Sequence, residues 1–269
     1  MVQTFAALLL GHLLGDFVFQ TDDMARDKNT DAKTLLRHCL IYALCMIVGA
    51  FVAASGMQTL VIAGVLSLAH ASVDVFFRFL RGKIHGTPGL FLADQTVHIA
   101  VIFVVASVIA ARGVAIPCLA SLFRWYVSLL RGSTAGLATS YVRLVVYLCA
   151  LVFCTKPAAV FVRIVLDWLK EKDAIKAQTS KQQQTGRYIG MLERVLVFLL
   201  CVTGQVSAIG FVIAAKGIVR FQEFKPDTPG SGKTTTSNFA EVFLLGTLMS
   251  FILAIAVALL TRWLVTTLP

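Results

Sequence analysis

Several stretches of this chain reach the roughly 20 consecutive, mostly apolar residues that carry a helix across the hydrocarbon core of a bilayer. In hydrocarbon every backbone N–H and C=O must find its partner inside the segment, so runs of this kind fold as helices and bundle together. With 58% hydrophobic and only 14% charged residues, the chain has too little polar surface for a sizeable soluble domain, where about 25% of residues are charged. The expected fold over 269 residues is all-α. It is a polytopic helical membrane protein with about six or seven transmembrane helices, an N-terminal four-helix bundle and a C-terminal helical extension.

The spans are read at about Thr4–Gln20, Thr34–Ala54, Thr59–Leu80 and Phe91–Ala111, which makes residues 1–112 a four-span bundle. A polar loop, Thr21–Lys33, joins the first two. Residues 113–171 hold accessory elements: Val114–Leu130, with Pro117 and Arg124, reads as an interfacial or re-entrant helix, Ala135–Cys154 as a span, and Lys156–Glu171 as an amphipathic helix. Residues 172–188, rich in Gln and Lys, read as a polar linker, and residues 189–269 as a helical pair, about Ile189–Ala215 and Phe239–Val265. The first run carries His12 and Asp16 and has no basic segment before it, so it is read as a retained span.

The net charge of +10 needs no nucleic acid partner, because Lys and Arg collect in the cytoplasmic loops of membrane proteins and set their orientation. Arg26, Lys28, Lys33 and Arg37 follow the first span and Arg78, Arg81 and Lys83 end the third, whereas Ser55–Gln58 carries no charge. This bias puts the N-terminus outside and both charged loops in the cytoplasm, with membrane lipid as the surrounding partner and a homo-oligomer left open. The six cysteines, Cys39, Cys45, Cys118, Cys149, Cys154 and Cys201, form no C-x-x-C pair and read as small buried hydrophobes.

Four of the five histidines lie inside apolar runs with polar companions at helical spacing: His12-x-x-x-Asp16-x-x-x-Gln20, His38, His70-x-x-x-Asp74, and Asp94-Gln95-x-x-His98. Residues four apart share one face of a helix. Each stripe is therefore a polar ridge on a greasy rod, and ionisable groups inside spans mark functional sites by default. The orientation places Asp16, Gln20, His38, Asp74, Asp94 and His98 near the cytoplasmic ends of their spans. His12 and His70 sit roughly 6 Å deeper than their aspartates, at about 1.5 Å per residue. A lone His–Asp pair would be an interhelical hydrogen bond holding the bundle together. Four stripes at one depth point instead to a shared site.

Neutral imidazole and carboxylate are the usual ligands of zinc and similar divalent ions. The ligands expected are His12, Asp16, His70, Asp74, Asp94 and His98. Gln20, Lys28, His38 and Gln95 are expected to orient them or to contact substrate, and Asp74 or Asp94 to act as base where it is not bound to metal. Gly11 and Gly15 form a G-x-x-x-G pattern that permits close helix approach. Other motifs carry less. Pro229-Gly-Ser-Gly-Lys-Thr lacks the first glycine of a phosphate-binding loop, with Asp227 in its place. His85 reads as a solvated loop residue, and Glu193–Arg194 as a local ion pair.

His12-Leu-Leu-Gly-Asp-Phe-Val-Phe-Gln20, with Lys28 and His38, then His70-Ala-Ser-Val-Asp74 and Asp94-Gln95-Thr-Val-His98, resembles the bacterial family known as domain of unknown function 3307 over roughly residues 4–110. The stretches from Gly186 to Lys216 and from Phe239 to Leu248 look like the C-terminal extension of many of its members. Arg78 stands where that family would have a lysine. The resemblance implies an integral protein of the bacterial inner membrane with no established activity. More loosely, the layout is similar to membrane-bound metal-dependent hydrolases, an analogy of fold that does not by itself carry function.

Two functions fit this pattern. One is a metal-dependent hydrolase of a lipid or a lipid-linked, anionic substrate, whose head group Lys28, Arg78 or Arg81 would meet. The other is a proton or metal-ion transporter or channel using the His–Asp pairs as a relay. A structural membrane partner without catalysis is the plain third reading.

Overall fold

A computed structural model describes residues 1–53, 57–81, 88–112, 137–172, 180–221 and 233–267, of which 137–140, 170–172, 180–185, 219–221 and 233–242 are described by their backbone alone. Among the described residues every regular element is a helix. In chain order these are α1 (Val2–Leu13), a single π turn (Leu14–Val18), α2 (Asp22–Asp27), α3 (Ala32–Ala53), α4 (Met57–Arg81) and α5 (Pro88–Ala111). They are followed by α6 (Leu137–Cys154), α7 (Lys156–Lys172), α8 (Ser180–Val202), α9 (Ser207–Phe221) and α10 (Lys233–Thr267). Among the described residues, five helical runs are long and apolar enough to cross a membrane: α3, α4, α5, Tyr141–Leu169 and Phe243–Thr267. Val2–Val18 and Ser207–Ile218 are shorter apolar helices.

The chain divides into two compact units, the first ending at Val152. In the first, α3 packs on α1 and on α4, and α5 packs on α1 and α4, which closes the four-helix bundle. Small residues set how tightly. A Cβ added to Gly49 would lie 2.9 Å from the Ala7 carbonyl oxygen and 3.0 Å from Gly11 Cα, and one on Gly15 would lie 2.9 Å from the Tyr42 ring. Gly11 and Gly15 thus do what their spacing promised, with Gly49 of α3 as the opposing member. The unit also takes in α6 as far as Val152, beyond the expected bundle limit at residue 112. There the buried Tyr141 hydroxyl donates to the Val52 carbonyl at 3.0 Å.

The expected polar loop after the first span is partly ordered as α2. Thr21 caps it, its hydroxyl oxygen accepting from Met24 N at 3.2 Å. α3 begins on an Asp31 cap: the carboxylate accepts from Thr34 N at 2.8 Å, from the Thr34 hydroxyl at 2.6 Å and from Lys33 N at 3.2 Å. Those bonds hold the Asp31 carboxyl below the usual aspartate range.

Three readings of the second unit change. The single span read at Ile189–Ala215 is two helices, α8 and α9, broken where Gly204 takes a positive φ of 81°. A glycine supplies that conformation without strain. α8 begins at Ser180, so the second half of the expected linker is helical, as a Gln-rich sequence without Pro permits; the single Gly186 costs only about 1 kcal/mol relative to Ala. Glu193 does not pair with Arg194, since neighbouring helical residues face apart. It meets Lys216 at 2.5 Å, while buried Arg194 donates to the Cys154 and Thr155 carbonyls and to Ser250. The readings for Val114–Leu130, His85 and most of Pro229–Thr234 fall outside the described residues.

Packing at Gly49 gives a direct test. Gly49→Ala should destabilise the detergent-solubilised protein by about 1–3 kcal/mol. Gly64→Ala, with nothing within 4 Å of the added methyl, should leave thermal unfolding unchanged or slightly raise it.

Candidate functional site

Both His70–Asp74 and Asp94–His98 lie on buried helix faces, as their four-residue spacing requires. His12 is buried on the last turn of α1 and Asp16 in the π turn, whose widened loop is closed by Phe19 N bonding to the Leu14 carbonyl at 2.8 Å. His38 comes from the second turn of α3, one turn before Tyr42. His12 and His38 are fully buried, and Asp16, His70, Asp74, Asp94 and His98 nearly so. The four helices therefore bring the stripes together.

Lys28 enters this cluster from outside the spans. Its side chain turns inward after α2, and Nζ lies 3.1 Å from Asp74 Oδ2, 3.5 Å from Asp16 Oδ1 and 3.2 Å from His38 Nε2. Burial would push this ammonium down, but the two carboxylates outweigh it and hold its pKa above that of an ordinary lysine. A second cation, Arg81, takes Asp94 Oδ2 at 2.8 Å and the Asn29 side-chain oxygen at 3.2 Å. Arg78 donates to the Thr30 carbonyl at 2.7 Å, so α4 holds the connecting segment in place.

Around His38 Nε2 the contacts outnumber the available protons. His70 Nε2 lies at 3.0 Å, Asp74 Oδ2 at 3.2 Å and Asp16 Oδ1 at 3.5 Å. His98 Nδ1 donates to the Asp94 carbonyl at 2.9 Å, which leaves Nε2 with its lone pair, buried and without a partner. Among the described residues, two groups of donors are close enough to hold one ion each, Asp16–His38–His70 and His70–Asp74–His98. They share His70. With neutral imidazoles, three carboxylates against Lys28 and Arg81 leave one negative charge. One divalent ion would turn that to one positive charge, whereas two would leave a large excess in a low-dielectric bundle. The donor set suits a single ion.

The expected ligands sort unevenly. Asp16, His70, Asp74 and His98 stand in these groups, joined by His38, which had been expected to orient ligands. His12 does not: its Nδ1 faces the Tyr42 hydroxyl at 3.2 Å and its Nε2 faces Gln95 Oε1 at 3.2 Å. Asp94 is engaged by Arg81 and His98, and Gln95 donates to Asp16 Oδ2 at 2.9 Å. Gln20 is half-buried beyond the π turn, outside both groups. Tyr42 was missed. Its ring stacks on His70 with centroids 3.5 Å apart and planes 5° from parallel. The available signal was its position four residues after His38 on the same face.

Residues 4–126 match the family model described as "Protein of unknown function (DUF3307)", over the segment where the resemblance was read. No curated protein and no solved structure matches the chain.

The lysine can be tested without any ligand. In chelator-treated protein, Lys28→Met leaves Asp16 and Asp74 buried without their shared cation and should cost about 3–5 kcal/mol in unfolding free energy. Arg26→Met, which removes only solvent-exposed pairs with Asp23 and Asp27, should unfold like the wild type.

Proposed function

We propose that this is an integral-membrane, metal-dependent hydrolase acting on a lipid or lipid-linked substrate, with one divalent cation of the zinc type. His38, His70 and His98 would hold it together with Asp16 and Asp74. The observation that carries this reading is the overlap of two three-residue donor groups on His70, built only from nitrogen and oxygen and buried at one level of the bundle. Such donors suit zinc and its neighbours better than calcium or magnesium, which prefer all-oxygen shells.

When bound, the ion would supply a water nucleophile near neutral pH and polarise an ester or phosphoryl oxygen. The chain's own groups do the rest. Asp16 and Asp74 compensate positive charge, and Lys28 sits against both carboxylates from the side where the chain enters from outside the spans. Arg78 and Arg81, which bond the Thr30 carbonyl and Asp94, would offer their remaining guanidinium donors to an anionic head group.

Hydrolysis is favoured over transport because the ionisable groups stop partway along the helices. Beyond the cluster the buried positions include Ala6, Ala7 and Leu8 on α1, Met46 and Ala50 on α3, Ile62, Ala63 and Leu66 on α4, and Ile102, Ala106 and Ile109 on α5, with Thr59 of α4 a polar but uncharged exception. A proton or cation path would need polar or water-filled steps there.

Elemental analysis of tag-free protein should find about one zinc-type ion per chain, and a His70→Ala/Asp74→Ala variant should hold essentially none. Equal content in both overturns the metal site. Mixed lipid vesicles then test the reaction: chelator-sensitive release of a water-soluble head group or a fatty acid supports the hydrolase. A metal-loaded protein that releases neither would leave the site standing and end the hydrolase reading.

A further inference from the structure

Asp16 fixes the state of a chain of three neighbours. An ionised carboxylate only accepts hydrogen bonds, so the group 2.9 Å from Asp16 Oδ2 must be the Gln95 amide nitrogen. The Gln95 carbonyl oxygen then faces His12 Nε2 at 3.2 Å, and that nitrogen must carry the proton. His12 Nδ1 is left as an acceptor for the Tyr42 hydroxyl at 3.2 Å. The order is Tyr42 to His12 to Gln95 to Asp16, and both nitrogens of His12 are spent within it.

We propose that Tyr42, His12 and Gln95 form an orienting relay that binds no metal and instead aims two ligands, an inference that rests on the metal reading above. Gln95 occupies Asp16 Oδ2 and leaves Oδ1, which has no hydrogen-bond partner, facing His38 and Lys28. Tyr42, itself 1% exposed, holds the His70 ring flat against its own. Gly15 provides the room, since a Cβ there would lie 2.9 Å from the Tyr42 ring. One tyrosine thus touches both sides of the centre: the carboxylate through three hydrogen bonds, the imidazole by direct stacking.

The relay also sets specificity. With Oδ2 held by Gln95, Asp16 offers one oxygen and not two. A one-oxygen carboxylate beside imidazoles fits the short bonds and low coordination number of zinc or cobalt, and denies calcium the bidentate carboxylate it favours. Partners that orient a ligand without touching the metal are worth 10–100-fold in affinity.

Cobalt(II) titration of chelator-stripped, tag-free protein tests this, read by its visible d–d bands and by competition with calcium. The wild type should take one equivalent of cobalt. Tyr42→Phe and Gln95→Leu should still take one, about 10–100-fold more weakly and with altered bands, while Gln95→Leu narrows the preference for cobalt over calcium. Tyr42→Phe keeps the stacked ring, so it reads the hydroxyl alone even if the Gln95 variant does not fold. His12→Gln should also keep one equivalent, as a residue that is not a ligand must. Wild-type affinity and bands in Tyr42→Phe, or loss of the cobalt equivalent in His12→Gln, overturn the relay while the metal site stands. Absence of cobalt from the wild type overturns both.

Discussion

The Lys28 ammonium, held between Asp16 and Asp74, is the contact on which the rest of the first unit depends. Each of those carboxylates sits in a wall of apolar helices, where an uncompensated charge costs several kcal/mol even after relaxation. Lys28 makes the two tolerable together, at 3.1 and 3.5 Å. Arg81 does the same for Asp94 at 2.8 Å. Both cations arrive from the same end of the bundle, Lys28 after α2 and Arg81 from the last turn of α4. This explains why the ionisable residues gather there, while the opposite half of each helix buries mainly apolar side chains, with Thr59 of α4 a polar exception.

Close backbone packing makes such a small centre attainable. Gly11 and Gly15 of the first helix and Gly49 of α3 let the two helices approach until a single methyl would collide with a carbonyl. That approach places Asp16 opposite His38, and gives Tyr42 space to reach both His12 and His70. The geometry of the donors thus follows from residues that carry no chemistry of their own.

Much of this was legible in the sequence because helical spacing is a strict rule. His70 and Asp74, and Asp94 and His98, had to share faces, and the charge pattern of the loops put all the stripes at one end. What could not be read was how side chains rotate once four helices meet. His12, with Asp16 one turn on, read as a ligand, and His38, alone in its run, as an orienting residue. Only tertiary contacts commit both nitrogens of the first and turn the second toward His70. Lys28 was expected at the site as a contact for ligands or an anionic substrate, but no local pattern announces that its side chain will fold back into the bundle between Asp16 and Asp74. Tyr42 carried the signature of an ordinary core aromatic. In the second unit the apolar run through residues 189–215 hid a break, because Gly204 and Gln205 barely dilute its hydrophobicity. The Gln-rich stretch read as linker extends α8 because nothing in it forbids a helix.

Whether nitrogen and oxygen donors from several helices hold one divalent cation is tested most directly by X-ray absorption at the zinc edge of the zinc-loaded, tag-free protein. Light scatterers alone are expected at about 2.0–2.1 Å, with the outer-shell pattern of imidazole rings. A sulfur shell near 2.3 Å, or a zinc signal without imidazole features, would contradict it.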